Sequence, residues 1–193
     1  MTRVFALLFA AVSLLAGVGH ARAQGFDTRD IMGGGPNFSN FGIGRSSPIP
    51  RQTVSFASNY APGTILINTA ERRLYLVLPN GQALRYGIGV GRDGFRWAGT
   101  HRISAKKEWP SWTPPRQMLA RRPDLPRHMV GGVDNPLGAR AMYLGSTLYR
   151  IHGSNEPETI GQAVSSGCFR MTNEDVTDLY SRVSVGTPVI VKN

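Results

Sequence analysis

At 193 residues, 41% hydrophobic and 18% charged, the chain has the make-up of a folded globular protein with room for one domain and a core of its own, which excludes a disordered polymer. Its formal charge of +10 favours anionic partners. Cys168 is the only cysteine, which excludes an internal disulfide.

Residues 1–23 read as a secretory signal: Arg3, an apolar run from Val4 to Val18, then Ala21-Arg22-Ala23, with cleavage after Ala23 leaving Gln24 first. The apolar run is short of the about 20 residues that a membrane-spanning helix needs, so no stable span is expected after cleavage. Leu15-Ala16-Gly17 is followed by Val18, where a lipid anchor would need a cysteine. Losing Arg3 and Arg22 with the signal takes the formal charge from +10 to +8. Export to the periplasm or cell envelope separates the protein from the genome, and no nucleic-acid recognition motif is visible, so nucleic acid is not an expected partner. Cell-wall polymer, with its peptide carboxylates, fits that compartment better. A lone thiol there risks oxidation and mispairing, so Cys168 needs a reason to be present.

Residues 24–62 read as a flexible tether, rich in Gly, Asn, Ser and Pro and including Gly33-Gly34-Gly35-Pro36, with some apolar grip at Phe38, Phe41 and Ile43. From residue 63 to 193 the texture is that of a mainly β domain. Thr64 to Asn68 and Arg73 to Leu78 read as strands, and Pro79-Asn80-Gly81 signals a hairpin into Ala83 to Val90, giving an antiparallel meander. Further β-like runs are Thr100 to Ser104, Arg140 to Leu144, Leu148 to His152 and Pro188 to Lys192. One substantial helix is expected from Asn173 to about Val183, with Val176, Leu179, Tyr180 and Val183 at helical spacing and Thr172 followed by Asp175 resembling a capping box. Between Trp97 and Gly138, six prolines and all three tryptophans predict a long lid loop or cleft wall with little regular structure. Residues 92–127 carry nine basic and three acidic side chains, concentrating positive charge on that lobe.

A nucleophilic thiol needs a base or positive field to form the thiolate, and main-chain donors for the oxyanion made when it attacks a carbonyl. Cys168 follows Ser165-Ser166-Gly167, and a glycine before a nucleophile lets the backbone turn sharply and frees amide hydrogens. The amides of Gly167, Cys168 and Ser166 are the candidate oxyanion donors. His152 ends a predicted strand, and the loop from Ser154 to Ala163, with Asn155, Pro157 and Gly161, is suited to reversing the chain toward Cys168; His101 and His128 are rivals on composition. No metal-ligand spacing is present, and neither metal nor other cofactor is expected.

The run Ile151-His152-Gly153-Ser154-Asn155-Glu156-Pro157, then Ile160-Gly161, Ser165-Ser166-Gly167-Cys168-Phe169-Arg170-Met171 and Asn173-Glu174-Asp175-Val176 resembles the active-site signature of the L,D-transpeptidase (YkuD-type) family. Gly99-Thr100, Pro110-Ser111-Trp112-Thr113-Pro114-Pro115 and Asn135-Pro136-Leu137-Gly138 resemble segments that precede it. The resemblance covers residues 63 to 192 and implies a β-sandwich-like catalytic domain. It implies an enzyme whose cysteine thiolate attacks a peptidoglycan tetrapeptide stem between diaminopimelate and D-alanine, forming a thioacyl-enzyme that an amine acceptor resolves. Peptidoglycan stem peptides are then the partners, crosslinking in cell-wall biogenesis is the outcome, and carbapenems are expected to acylate the site.

On that resemblance Cys168 is the nucleophile, His152 the base and later the acid, and the main-chain carbonyl of Gly153 fixes the imidazole tautomer. Arg170 binds a substrate carboxylate or braces the cysteine loop, and Ser165 and Asn155 join the residues expected to touch substrate. Ser166 stands where many members carry histidine, so no second imidazole is available. A papain-like peptidase is disfavoured because its cysteine precedes its histidine. L,D-carboxypeptidase activity, attachment of an envelope protein to peptidoglycan and, remotely, a non-catalytic wall-binding module stay open as alternatives.

Overall fold

A computed structural model describes residues 47–193. The expected signal segment and the tether as far as residue 46 lie outside the described residues. No helix among the described residues is long and apolar enough to cross a membrane.

The domain is mainly β. Its meander comprises β2 (Ile65–Asn68), β3 (Arg73–Leu78) and β4 (Gln82–Gly87), paired antiparallel as expected. Asn80 and Gly81 both take positive φ, 60° and 65°, the conformation for which an Asn-Gly pair is suited at a hairpin. A strand the sequence reading placed inside the tether precedes them: β1 (Gln52–Ser55) pairs antiparallel with β4. The tether expected to reach residue 62 is therefore corrected for its last part. Ile49 packs against Gly87 and Gly161, and Arg51 forms ion pairs with Glu174, Asp175 and Asp178, which tie this stretch to the domain.

After β5 (Val90–Gly91) comes β6 (Gly99–Glu108), then β7 (Arg140–Leu144), β8 (Arg150–His152), β9 (Ala163–Ser165), β10 (Phe169–Arg170) and β11 (Pro188–Lys192). Nine strands form one curled sheet in the order β1-β4-β3-β2-β11-β6-β7-β8-β10, and β5 pairs with β9 separately. The curl has a local cause in β6. Its first part, Gly99–Arg102, pairs with β11, and after an irregularity between Ile103 and Ala105 the rest pairs with β7. A bulge of this kind bends and twists its strand, so one strand serves both halves of the sheet. The hydroxyl of Ser104, at the bulge, donates to the Gly145 carbonyl at 2.7 Å.

The core fills the curl: Ile65, Ile67, Leu74 and Tyr86 from the meander meet Ile103, Met142, Leu144, Ile151 and Phe169 from the other half. The long helix runs Asn173–Arg182 and buries Val176 and Leu179, as its spacing predicts, while Thr172 Oγ1 accepts from the Asp175 amide to cap its start. We label it α2. The stretch from Trp97 to Gly138 is more ordered than its prolines imply. It contains all of β6 and a short helix, α1 (Arg116–Arg121), entered directly from Pro115, a residue tolerated where helices begin because the first amides have no partner to lose. The strand expected over Leu148 to His152 starts at Arg150, and the run to Val90 splits into β4 and β5.

Candidate active site

The site is built where β8 and β10 meet. The two strands run parallel, with Phe169 opposite Ile151 and Arg170 opposite His152. Side chains alternate across a strand, so Ile151 and Phe169 enter the core while Arg150, His152, Cys168 and Arg170 take the other face. All four line one cavity of about 410 Å³. Phe95, Trp112, Met118 of α1 and Leu148 supply apolar wall, Arg121 adds a third guanidinium, and no aspartate or glutamate among the described residues lines it. The chain thus presents a thiol, an imidazole and an excess of positive charge to a single hollow.

His152 is buried, and its Nδ1 lies 2.6 Å from the Gly153 carbonyl oxygen. A carbonyl accepts only, so Nδ1 carries the hydrogen and Nε2 keeps a lone pair. Burial, then the Arg170 charge, pulls the imidazole down from its ordinary value to about 3, with Arg150 adding to the effect and the Gly153 and Pro136 carbonyls opposing it. The ring is neutral at neutral pH. Gly153 can hold this place only without a side chain, because a Cβ there would run into Asn173 Oδ1 and the backbone at Gly138 and Ala139.

Cys168 is half-buried, and its Sγ points at the Leu148 carbonyl, 3.8 Å away. Burial pushes the thiol above its usual range, while Arg150, through its charge, its main chain and its side chain, and then Arg170 pull the other way. No hydrogen bond joins Sγ to the imidazole in this resting geometry.

The turn before Cys168 is held from behind. Gly167 has φ of 107°, a region open to glycine, and a Cβ on it would lie 2.5 Å from Tyr149 Cε1. Trp97 stacks on Tyr149 at 4.5 Å and donates from Nε1 to the Gly167 carbonyl at 2.8 Å. Trp97 is thus a plug under the cysteine turn, although the sequence places it at the start of the lid.

Several of the expected site residues make internal contacts. The Gly167 amide donates to Ser165 Oγ at 3.1 Å, so it is not free as an oxyanion donor; the Cys168 and Ser166 amides have no acceptor among the described residues. Ser165 lines the cavity, and its hydroxyl donates to the Cys168 carbonyl at 2.6 Å and accepts from the Gly167 amide, closing the turn. Asn155 lies outside the cavity, and its Nδ2 donates to the Asp134 carbonyl. Arg170 lines the cavity and reaches the stretch between β8 and β9, where Nη1 donates to Glu156 Oε2 at 2.8 Å and approaches Thr159 Oγ1 at 3.4 Å. His101 and His128 are not among the residues lining the cavity.

Two residues at the site had no role assigned to them from the sequence. Asn173, at the start of α2, accepts through Oδ1 from the Ala139 amide at 2.8 Å and the Ser154 amide at 3.3 Å, stapling the helix to the backbone on both sides of the site. Arg150 stands two residues before His152 in the same strand, and that spacing of two was the available signal that they share a face.

Comparison with known proteins bears on this geometry directly. Residues 62–191 match the family model for the YkuD L,D-transpeptidase catalytic domain. A probable L,D-transpeptidase of Escherichia coli K12, YbiS, is 43% identical over 135 residues, covering 65% of this chain and 43% of its own length. The chain thus spans less than half the length of the curated relative. An L,D-transpeptidase structure from Mycobacterium smegmatis shares the fold with a TM-score of 0.55 at 17% identity, over 67% of this chain and 58% of that one. A Brucella melitensis structure named as a probable carnitine operon oxidoreductase is 46% identical, with a TM-score of 0.52, covering 81% of this chain and 99% of that one. Its name finds no echo in the glycine motif of this chain: Gly89-Val90-Gly91-Arg92-Asp93-Gly94 has dinucleotide-type spacing but passes from β5 into a turn instead of opening a helix. With the signature residues gathered on one strand pair and the family model spanning the whole sheet from β2 almost to its end, the chain belongs to the L,D-transpeptidase family, through its YkuD catalytic domain.

Proposed function

We propose that the protein is an exported peptidoglycan L,D-transpeptidase in which Cys168 is the nucleophile and His152 the general base. The observation that carries this reading is the placing of Cys168 and His152 on one face of the β8–β10 pair, with Nδ1 of His152 committed to the Gly153 carbonyl. That commitment leaves Nε2 as the only ring atom able to accept a proton.

At rest both partners are neutral, since burial raises the thiol and lowers the imidazole. The proton leaves sulfur as attack begins: Sγ rotates from the Leu148 carbonyl toward Nε2, gives up its hydrogen, and bonds to the carbonyl carbon between diaminopimelate and D-alanine in a tetrapeptide stem. The carbonyl electrons move onto oxygen, where the amides of Cys168 and Ser166 donate to it. Collapse of the tetrahedral intermediate breaks the C–N bond. His152 returns the proton to the nitrogen of departing D-alanine and leaves a thioester on Cys168. An amine acceptor, deprotonated in turn by His152, attacks that thioester and restores the thiol. A carboxylate-bearing substrate suits a cavity rimmed by arginines and lined by no acid among the described residues.

Incubating residues 24–193 with purified tetrapeptide muropeptides tests the reading. Crosslinked dimers with release of D-alanine are expected. Release of D-alanine with hydrolysed stems alone would convert the assignment to a carboxypeptidase, and a product joined to a protein amine to an anchoring enzyme. Intact mass after exposure to a carbapenem should show one adduct, absent in Cys168→Ala; equal labelling of that variant sinks the cysteine mechanism.

A further inference from the structure

Arg150 is one of two guanidiniums lining the cavity that form no ion pair among the described residues; the other, Arg121 on α1, lies over the Phe95 ring at 5.0 Å. Arg170 has Glu156 at 2.8 Å, whereas Arg150 forms no ion pair among the described residues: Nη1 donates to the Leu148 carbonyl at 3.2 Å, and the group sits 5.2 Å from the Tyr143 ring centre. Its Nε is enclosed and has no hydrogen-bond partner. A partly buried cation without an anion is costly, and its retention points to a negative charge that arises nearby.

The strand register says where. With Phe169 opposite Ile151 and Arg170 opposite His152, the next step back sets Cys168 beside Arg150, and both side chains line the cavity. The charge of Arg150, followed by that of Arg170, draws the thiol down against the effect of burial. His152 has its Nδ1 bonded to the Gly153 carbonyl, and Sγ points at the Leu148 carbonyl, with no hydrogen bond between sulfur and ring.

We infer that Arg150, and not an imidazolium at His152, supplies the positive charge that holds the Cys168 thiolate. The missing counter-ion of Arg150 is the sulfur itself once its proton has gone. This inference deepens the reading above, since it takes Cys168 as the nucleophile, and it divides the labour of activation: His152 moves the proton, and Arg150 carries the opposing charge. Arg170, also on this face, is partly neutralised by Glu156, and Arg121 reaches the cavity from α1. Tyr149 is the remaining titratable group of the lining.

The test is the pH dependence of Cys168 alkylation by iodoacetamide, a neutral reagent whose rate follows the thiolate fraction and needs no wall substrate. Its outcome is therefore separate from that of the muropeptide experiment. In Arg150→Met the midpoint should rise by about one pH unit, and alkylation at fixed pH below the midpoint should slow about tenfold. Arg150→Lys, which keeps a charge, should recover most of that shift, and Arg170→Met should move the midpoint less than Arg150→Met. His152→Gln should leave the midpoint within about 0.3 unit of wild type, a small fraction of the about one-unit effect a lost neighbouring charge produces. The inference is overturned if Arg150→Met titrates like wild type while remaining folded by circular dichroism. It is overturned equally if Arg150→Lys shifts as far as Arg150→Met, or if His152→Gln produces the larger shift.

Discussion

The floor and the wall of the cavity are made differently. The floor, β8 with the Ser165–Arg170 turn, is fixed by buried polar groups with assigned partners: Ser165 closes the turn, Trp97 holds Gly167, Gly153 holds His152, and Asn173 ties both flanks to α2. The wall, α1 and the proline-rich chain around it, has no buried residue in its helix and no side-chain cap. Chemistry demands atoms placed within a few tenths of an ångström, which the floor's connected hydrogen bonds provide. Recognition of a bulky substrate tolerates, and can use, a wall that is held loosely.

The sharpest way to break this contrast is to strike the floor at its reacting atom. Cys168→Ser should reduce acyl transfer by about 10³-fold or more with little change in melting temperature, measured by D-alanine release. Next in size is Asn173→Ala, which strips the acceptor from two buried amides and should cost about 2–4 kcal/mol in urea denaturation. A comparable loss from Met118→Ala or Arg121→Ala would erase the distinction between the two regions.

A third experiment uses acid. In the unfolded chain a histidine titrates near about 6.5, whereas native His152 is pushed down to about 3. Between those values the unfolded state binds the extra proton, so stability is fully present above about 6.5 and drains away as pH falls, by up to about 1.4 kcal/mol per unit. His152→Gln should flatten that part of the curve; an unchanged slope would remove His152 as its cause. The smallest effects belong to the wall. Arg121→Ala should leave stability within about 0.5 kcal/mol and raise KM more than it lowers kcat.

Much of this was legible in the chain. β3, β7 and β11 follow their predicted limits because each is bounded by turn residues and carries apolar side chains, and α2 follows its cap and spacing. β1 was not legible: Gln-Thr-Val-Ser has no buried residue, and what makes it a strand is the β4 edge beside it, which a local pattern cannot reveal. α1 is too short to show a period. At the site, the signature pointed to Cys168, His152 and Gly153. The partner of Arg150 and the internal use of Ser165 and of the Gly167 amide depend on a register between strands far apart in the chain, and on which hydrogen bonds a turn satisfies first.

The position of β11 carries a further consequence. The last strand of the chain lies in the middle of the sheet, parallel to β2 on one side and antiparallel to β6 on the other. Without residues 188–192 the sheet is two half-sheets, β1-β4-β3-β2 and β6-β7-β8-β10, each with an open edge. A truncation before Pro188 therefore leaves the meander and the catalytic half without the seam between them.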